Sequence, residues 1–485
     1  MKPFIHKFKT GKFKYIYDVN TNRVFQVEDT TWNIIDDYLD GSSFDNLKEK
    51  HPEYSDSELR KSWDEIICAR EEMDVFSSNH PVRIGYGDGC TIEDLLSTSP
   101  REQLILNITE QCNLRCKYCI YGGSYKYQRT HSTKAMSFSL AKKAIGAFLQ
   151  HAKEKVHISF YGGEPLLAFD LIKQIISYTE SLTTKKVHWS MTTNATLLTR
   201  DVADYLYKNK FILTVSVDGP KDIHDRYRVF PDGRGTFDAI QANLTYLRSL
   251  DMEYYKAHVV FSIVSAPPYH LDKVNDFFVV NSLVNESAAI VSNMNWMTDS
   301  FEYAPEQKDY EILDNARENI RDDYATKIRS GSKQDCVARA MYEKDIANFY
   351  HRSKEKLGDT IPFNGCCIPS IRRLFVSTDG LLYICEKIDN AYPIGSVDSW
   401  VDQKKVKSLI DEYRNMSEDC MDCWVCRQCS ACFASYLAYG KLDRNLRRRE
   451  CDSLKTQLHN MMVLYYEILE DNINAFDHLS TVSFS

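Results

Sequence analysis

From residue 104 onward, short apolar runs alternate with longer stretches whose apolar positions recur every three or four residues. Strands are predicted at 104–109, Val156–Tyr161, Val187–Thr193, Phe211–Val217, Ala257–Val264 and Ala288–Met294. Helices are predicted between them, among them Ser139–His151, Phe169–Leu182, Arg200–Asn209 and Phe237–Leu250. Six strand–helix alternations predict an α/β fold with a parallel, barrel-like sheet. Functional groups in such a sheet gather at the C-terminal ends of the strands.

The flanks read differently. Lys12–Val27 predicts a hairpin, with strands Phe13–Asp18 and Val24–Val27 around a turn at Asn20–Asn22. A helix from Thr30 to Leu39 carries Trp32, Ile35 and Leu39 and stops at Gly41. A second opens at Ser57 with Leu59, Trp63, Ile66 and Ile67. Hairpin then helices predicts a small winged-helix-like module over residues 1–80. Residues 81–103, with Gly85, Gly87, Gly89, Ser97 and Pro100, read as a linker before a domain at 104–300. Residues 301–362 form a charged helical bridge, with helices at Glu306–Ile328 and Val337–Tyr350, that either shapes a substrate site or simply packs. In the last segment, 363–485, apolar Leu454, Leu458, Met461, Tyr465, Ile468 and Leu469 predict a packing helix. The basic run Arg444–Arg449 reads as a solvated face.

With 485 residues the chain exceeds a single core and calls for several domains. Its 43% hydrophobic and 26% charged residues are those of a globular protein. No run of about 18 apolar residues occurs, so no membrane span is expected. The first residues lack a signal-like apolar core, and a cytoplasmic location follows as an expectation. A net charge of −8 argues against a nucleic-acid partner. Fifteen cysteines are many, and most fall in tight groups, which in such a chain read as metal ligands before disulfides. Cys68, Cys90 and Cys336 stand alone and read as buried small hydrophobes.

The groups follow the predicted strands in order. After the first comes Cys112-Asn-Leu-Arg-Cys116-Lys-Tyr118-Cys119, three thiols at C-x3-C-x2-C. A loop of that length wraps three thiolates around one corner of an iron–sulfur cube and leaves one iron open to a small molecule. A structural zinc loop wants a fourth ligand. After the second strand, Gly162-Gly163-Glu164-Pro165 offers glycines for close approach of a ligand and a carboxylate for an ammonium group. After the third, Thr193 and Asn194 suit a ribose or carboxylate. After the fourth come Ser216-Val-Asp218-Gly-Pro and His224-Asp-Arg-Tyr-Arg228, where Arg228 suits a carboxylate and Asp218 either meets a ligand or caps a turn. Near the C-terminus, Cys366, Cys367 and Cys385 precede Cys420, Cys423, Cys426, Cys429 and Cys432 at a period of three, and Cys451 closes the field.

This ordered set resembles the signature of the radical S-adenosylmethionine (SAM) enzymes, built on a partial (β/α)6 TIM-like barrel. The C-terminal field resembles the SPASM-type twin-cluster domain of peptide-modifying members, a Cys-rich iron–sulfur domain. It departs from that pattern in two places: Cys429 and Cys432 are separated by two residues rather than three, and Cys426 is extra. The N-terminal module resembles the peptide-recognition element of maturases, to which a leader peptide adds a strand.

The resemblance implies three 4Fe-4S clusters and SAM as cofactors. Cys112, Cys116 and Cys119 would hold the SAM-binding cluster as the catalytic set. Tyr118, Gly162, Gly163, Glu164, Pro165, Thr193, Asn194, Ser216, Asp218 and Arg228 would surround SAM, with Glu164 on its amino group, Ser216 on the ribose and Arg228 on the carboxylate. Cys420, Cys423, Cys429 and Cys451 would hold an outer auxiliary cluster. Cys367, Cys385 and Cys432 would hold an inner one, with Cys366 the candidate fourth ligand; the roles of Cys426 and Cys366 stay open. The implied chemistry is a 5′-deoxyadenosyl radical acting on a leader-bound precursor peptide to form Cys thioether cross-links, as in sactipeptide and ranthipeptide maturases. An external flavodoxin- or ferredoxin-type donor would supply electrons. A carbon–carbon cyclase, a sulfatase-maturase-like oxidase and an iron–sulfur electron-transfer protein are the alternatives.

Overall fold

The computed structural model describes residues 4–86, 91–125, 128–294, 305–363 and 367–481. It opens with an antiparallel sheet of β1 (Ile5–Lys9), β2 (Lys14–Asp18) and β3 (Arg23–Val27), in that spatial order. Helices α1 (Asp29–Leu39), α2 (Phe44–Lys50) and α3 (Asp56–Met73) follow. Ile16, Ile34, Ile35, Leu47, Leu59 and Ile66 give this unit a small core of its own. The hairpin falls where its alternation places it, and β1 and α2 are additions too short to carry a periodic signal. Helix α3 starts behind Ser55, whose side chain forms a capping box with Glu58, slightly before the expected Ser57.

The stretch expected to be a linker is structured. It holds β4 (Arg83–Gly85) and α4 (Ile92–Thr98), the latter burying Ile92 and Leu96 and capped by Thr91. Glycines and a proline hid that short apolar spacing. Gly87, Gly89 and Cys90 lie outside the described residues.

The six expected strand–helix units form β5 (Arg101–Thr109), α5 (Phe138–Gln150), β6 (Ala152–Gly162), α6 (Phe169–Leu182), β7 (Lys186–Thr193), α7 (Arg200–Lys208) and β8 (Ile212–Ser216). They continue with α8 (Lys221–Tyr227), α9 (Phe237–Leu250), α10 (Met252–His258), β9 (Val259–Ser265), α11 (Leu271–Val280) and β10 (Ala288–Asn293). Strands β5 to β10 lie side by side in chain order, each parallel to the next. Ala257, expected to begin a strand, lies in the last turn of α10 instead, and the strand starts at Val259. Alternation along the strands explains the layering. Leu104, Leu106, Ile158, Phe160, Leu213 and Phe261 are sealed into one core with the apolar faces of the helices. The opposite row is polar: Gln103 donates to Ser159 at 2.7 Å, and Ser159 meets Ser190 at 2.6 Å.

Beyond β10, α12 (Gln307–Arg329) is followed by α13 (Cys336–Ala338), which passes through a π-helical turn into α14 (Lys344–Tyr350). Strand β11 (Thr360–Pro362) pairs with β4. The Cys-rich region then joins the main sheet. Strand β12 (Arg373–Val376) pairs parallel with β5, and β13 (Leu381–Tyr383), β14 (Gly395–Ser396) and β15 (Trp400–Val401) extend it antiparallel into ten strands. Helices α15 (Gln403–Asn415), α16 (Phe433–Tyr436) and α17 (Arg444–Asp471) complete the chain, and Cys451 lies inside α17. Cys336 is buried as expected, whereas Cys68 is exposed on α3, contrary to its reading as a core residue. Among the described residues no helix is long and apolar enough to cross a membrane.

Phe160 is fully buried and packs in a triad with Trp189 and Phe211, its ring centroid 5.9 and 6.0 Å from theirs. Phe160→Ala is expected to cost about 3–5 kcal/mol, read as a lower urea midpoint at unchanged slope. A midpoint equal to wild type would contradict the packing described.

Candidate active site

The predicted groups from Cys112 to Arg228 emerge after the C-terminal ends of β5 to β8. The thiol loop leaves β5 at Thr109 and returns antiparallel, with Met136 donating to Ile108 and Glu110 to Lys134 through the backbone. Backbone bonds from Arg115 to Val229 (2.8 Å) and from Lys117 to Tyr227 (3.0 Å) pin it over the turn after α8. Inside it, Cys112 Sγ accepts from the Leu114 amide at 3.4 Å, and Cys119 Sγ lies 3.9 Å from His131 Nε2. Burial pushes the Cys112 thiol up to about 11 and Cys116 up to about 12, and the neighbouring thiols add to both shifts. Three mutually close, desolvated sulfurs hold their protons until a cation compensates them. Such a soft donor set fits an iron–sulfur cluster, whose irons deprotonate the thiols outright. Among the described residues no three His, Cys, Asp or Glu side chains close around a single-ion position.

Glu164 faces this loop, 1% exposed. Its Oε1 accepts from Thr193 Oγ1 (2.8 Å) and the Leu166 amide (3.1 Å), and Oε2 accepts from the Asn194 amide (2.7 Å). Burial pushes the carboxyl up to about 7 against the pull of those bonds. Among the described residues it has no ion-pair partner. A desolvated carboxylate held by three donors and no cation is a receptor for an ammonium group.

The two glycines before it act differently from expectation. A Cβ on Gly162 would meet Thr109 O at 2.2 Å, and one on Gly163 would meet Gln111 O at 2.1 Å. They let the β6 turn press onto the start of the thiol loop, where Gly163 and Glu164 donate to Thr109 and Gln111, both at 2.8 Å. Pro165 opens the short helical turn that follows. Thr193 and Asn194 are likewise engaged within the protein. Asn194 Nδ2 donates to Asn113 Oδ1 at 2.9 Å, and Asn113 donates to Thr196 at 2.8 Å, tying the thiol loop to β7.

At the end of β8, Ser216 is half-buried and Asp218 is 3% exposed. Arg228 forks onto Asp218 at 2.9 and 3.2 Å, Tyr118 donates its phenol to the same carboxylate, and the Val264 amide donates at 3.0 Å. Burial opposes charge on Arg228, yet Asp218 holds its pKa well above the ordinary value. The guanidinium expected on a cofactor carboxylate thus rests on a protein carboxylate, because a buried Asp left unpaired would be costly. His224 locks the turn from behind: Nδ1 accepts from the Asp218 amide and Nε2 donates to Thr236, whose hydroxyl donates to Arg228 O at 3.0 Å. Burial lowers its pKa to about 4, so it stays neutral.

The C-terminal thiols fall into two neighbourhoods. Burial raises these thiols first; beyond it, Cys432 adds to Cys385 and Cys367 to Cys432, whereas Cys451 adds to Cys423 and both add to Cys429. Cys366 lies outside the described residues. Cys426 is 4% exposed and sits with the second group, beside Tyr17 of the N-terminal unit. Several participants carry no local motif. Tyr121 donates to Glu386 O at 3.2 Å, and buried Arg129 donates to Tyr121 at 2.6 Å and to Glu386 O, joining the thiol loop to the residue after Cys385. Arg427 donates to Val19 O and Asn20 O at 3.3 and 2.8 Å, and His6 stacks on Trp424, fastening β1 and β2 to the cysteine field. Arg447 departs from the solvated-face reading: it is 6% exposed and donates to Cys420 Sγ.

Residues 106–278 match the family model described as the Radical SAM superfamily. The chain therefore carries a radical SAM domain, which implies a 4Fe-4S cluster and SAM. Its relatives include a cysteine-type anaerobic sulfatase-maturating enzyme of Clostridium novyi, 29% identical over 214 residues, covering 43% of this chain and 56% of that protein. An uncharacterized protein of Methanocaldococcus jannaschii is 26% identical over 308 residues, 63% of this chain and 91% of its own length. The chain thus spans about half the length of the sulfatase-maturating relatives, 56% in C. novyi and 48% in C. perfringens. The solved structure of native anSMEcpe with bound AdoMet superposes with a TM-score of 0.57 at 21% identity, over 79% of this chain and 100% of that one, and shares the fold.

The Glu164 pKa lies above its ordinary 4.5, so the folded state holds that proton more tightly than the unfolded state. The contribution to stability is full below about 4.5 and lost as pH rises through about 7. Urea stability of cofactor-free protein is expected to include a fall across this window that Glu164→Gln removes. Identical slopes for both proteins would refute the assignment.

Proposed function

We propose that this chain is a radical SAM enzyme that modifies a ribosomally made precursor peptide, forming thioether cross-links from its cysteines. The carrying observation is Glu164, a buried carboxylate with no cation among the described residues, facing three clustered thiols. On this reading Cys112, Cys116 and Cys119 hold the SAM-binding cluster, and Glu164 receives the SAM ammonium. Ser216 faces the ribose, and Arg228 reaches the SAM carboxylate with the guanidinium edge left over from Asp218. When bound, cluster and SAM supply one-electron cleavage that removes a hydrogen atom from an unactivated carbon. The chain's own part is to orient and shield: Asp218 and Tyr118 fix the thiol loop, and β5 to β10 form a partial barrel whose polar row faces the substrate.

The two C-terminal thiol neighbourhoods support two auxiliary clusters. One would be held by Cys367, Cys385 and Cys432, the other by Cys420, Cys423, Cys429 and Cys451. The three-stranded N-terminal sheet and its helices support a winged-helix-like leader-binding module, whose β3 has only β2 as a sheet neighbour among the described residues. A peptide strand can pair with that free edge. Native anSMEcpe has been solved with bound AdoMet and Cp18Cys peptide, in keeping with a peptide substrate.

The sequence relatives favour a second reading, oxidation of a substrate cysteine as in the sulfatase-maturating enzymes. Product mass separates the two. A thioether loses two hydrogens per bond, whereas oxidising Cys to an aldehyde also exchanges sulfur for oxygen.

The central test is Cys112→Ala/Cys116→Ala/Cys119→Ala in anaerobically reconstituted protein. Release of 5′-deoxyadenosine is expected to vanish while iron falls from about twelve to about eight per chain. Retained release would sink the reading. A fall to zero iron would remove the auxiliary clusters from it.

A further inference from the structure

The first turns of α17 bring a basic face against the second thiol neighbourhood. Arg447 reaches inward, its Nη2 2.9 Å from Cys420 Sγ and its fork on Asp419 at 2.7 and 3.2 Å. Cys451 lies four residues on, hence on the same side of the helix. Arg444, Arg448 and Arg449 are exposed on these same turns, and exposed Lys441 precedes them. Three residues of helix separate Arg448 from Cys451, a rise of about 4.5 Å. Lys441 to Lys455 carries six cations and three acids in a chain of net charge −8. One of those acids, Asp443, is engaged as the helix cap, accepting from the Asn445 and Leu446 amides at 2.8 and 2.9 Å. The thiol set therefore comes close to the surface beside a locally positive stretch of an acidic chain, with exposed Glu418 and Asp422 on its other flank.

We propose that this face docks a small acidic one-electron carrier protein, of flavodoxin or ferredoxin chemistry, beside the cluster held by Cys420, Cys423, Cys429 and Cys451. The proposal rests on the radical SAM reading and adds where electrons enter. Charge complementarity selects the partner: an acidic face meets Arg444, Arg448 and Arg449, while Asp411 and Glu412, in the same surface pocket as Arg444, set register and repel a uniform polyanion. In the transfer the carrier is oxidised by one electron and the cluster reduced by one, with no bond formed or broken. Arg447 is a positioning residue here, stabilising negative charge on the Cys420 sulfur.

The test uses the full reconstituted chain and an acidic flavodoxin, with binding followed by calorimetry at low and high salt. Arg444→Glu/Arg448→Glu/Arg449→Glu is expected to weaken binding about tenfold or more and to flatten its salt dependence. Flavodoxin-driven 5′-deoxyadenosine release should fall in parallel, while dithionite-driven release stays at the wild-type rate. Equal binding by variant and wild type, or no flavodoxin binding by wild type at low salt, would overturn the proposal. Absence of dithionite-driven release from wild type would instead count against the radical SAM reading, with the binding comparison still deciding the docking face.

Discussion

A carboxylate removed from water with no cation beside it among the described residues is the constraint around which this molecule is arranged. Glu164 is held by the Thr193 hydroxyl and by amides of Leu166 and Asn194, so the ends of β6 and β7 must meet at one point. Three bonds lower the cost of burial without cancelling it, and the carboxyl pKa stands near 7 as a result. That residual cost makes the site receptive to an ammonium group, since binding one relieves what folding left unresolved. The glycines before Glu164 serve the same end: no side chain fits between their turn and the backbone of Thr109 and Gln111.

A second buried charge is resolved inside the protein. Asp218 takes Arg228, Tyr118 and the Val264 amide at once, so β8, β9 and the thiol loop converge on one carboxylate. Neutral His224 and Thr236 hold the backbone on either side of that pair. The contrast assigns the work. Glu164 has hydrogen-bond donors but no cation among the described residues, whereas Asp218 is fully partnered and gives the thiol loop a fixed seat.

The remaining connections make the chain one machine rather than beads on a linker. Strand β12 pairs with β5, and Tyr121 and Arg129 meet Glu386, so the first thiol loop and Cys385 share a rigid frame. Arg427 and the His6–Trp424 stack fasten the N-terminal sheet to the cysteine field. On the reading proposed above, a peptide held on that sheet would lie on a unit already bonded to the cysteine field through packed contacts rather than a flexible tether.

Local pattern determined much of this. Alternation and helical spacing specify six parallel units, because each strand buries one row against its helices, and motif order specifies which loops carry thiols, carboxylates and guanidinium. Spacing of three and four residues also puts Cys112, Cys116 and Cys119 in one short loop, which bonds to Tyr227, Val229 and Asp218 then hold in place. Only the tertiary structure decided what those side chains touch. Arg228 settles on Asp218, Thr193 on Glu164 and Arg447 on Cys420, pairings across 10, 29 and 27 residues of chain. Nothing in a local window records them, because a buried charge is satisfied by whichever partner the fold brings near. The same holds for β12, whose place beside β5 is fixed by the main sheet's open edge and not by its own four residues.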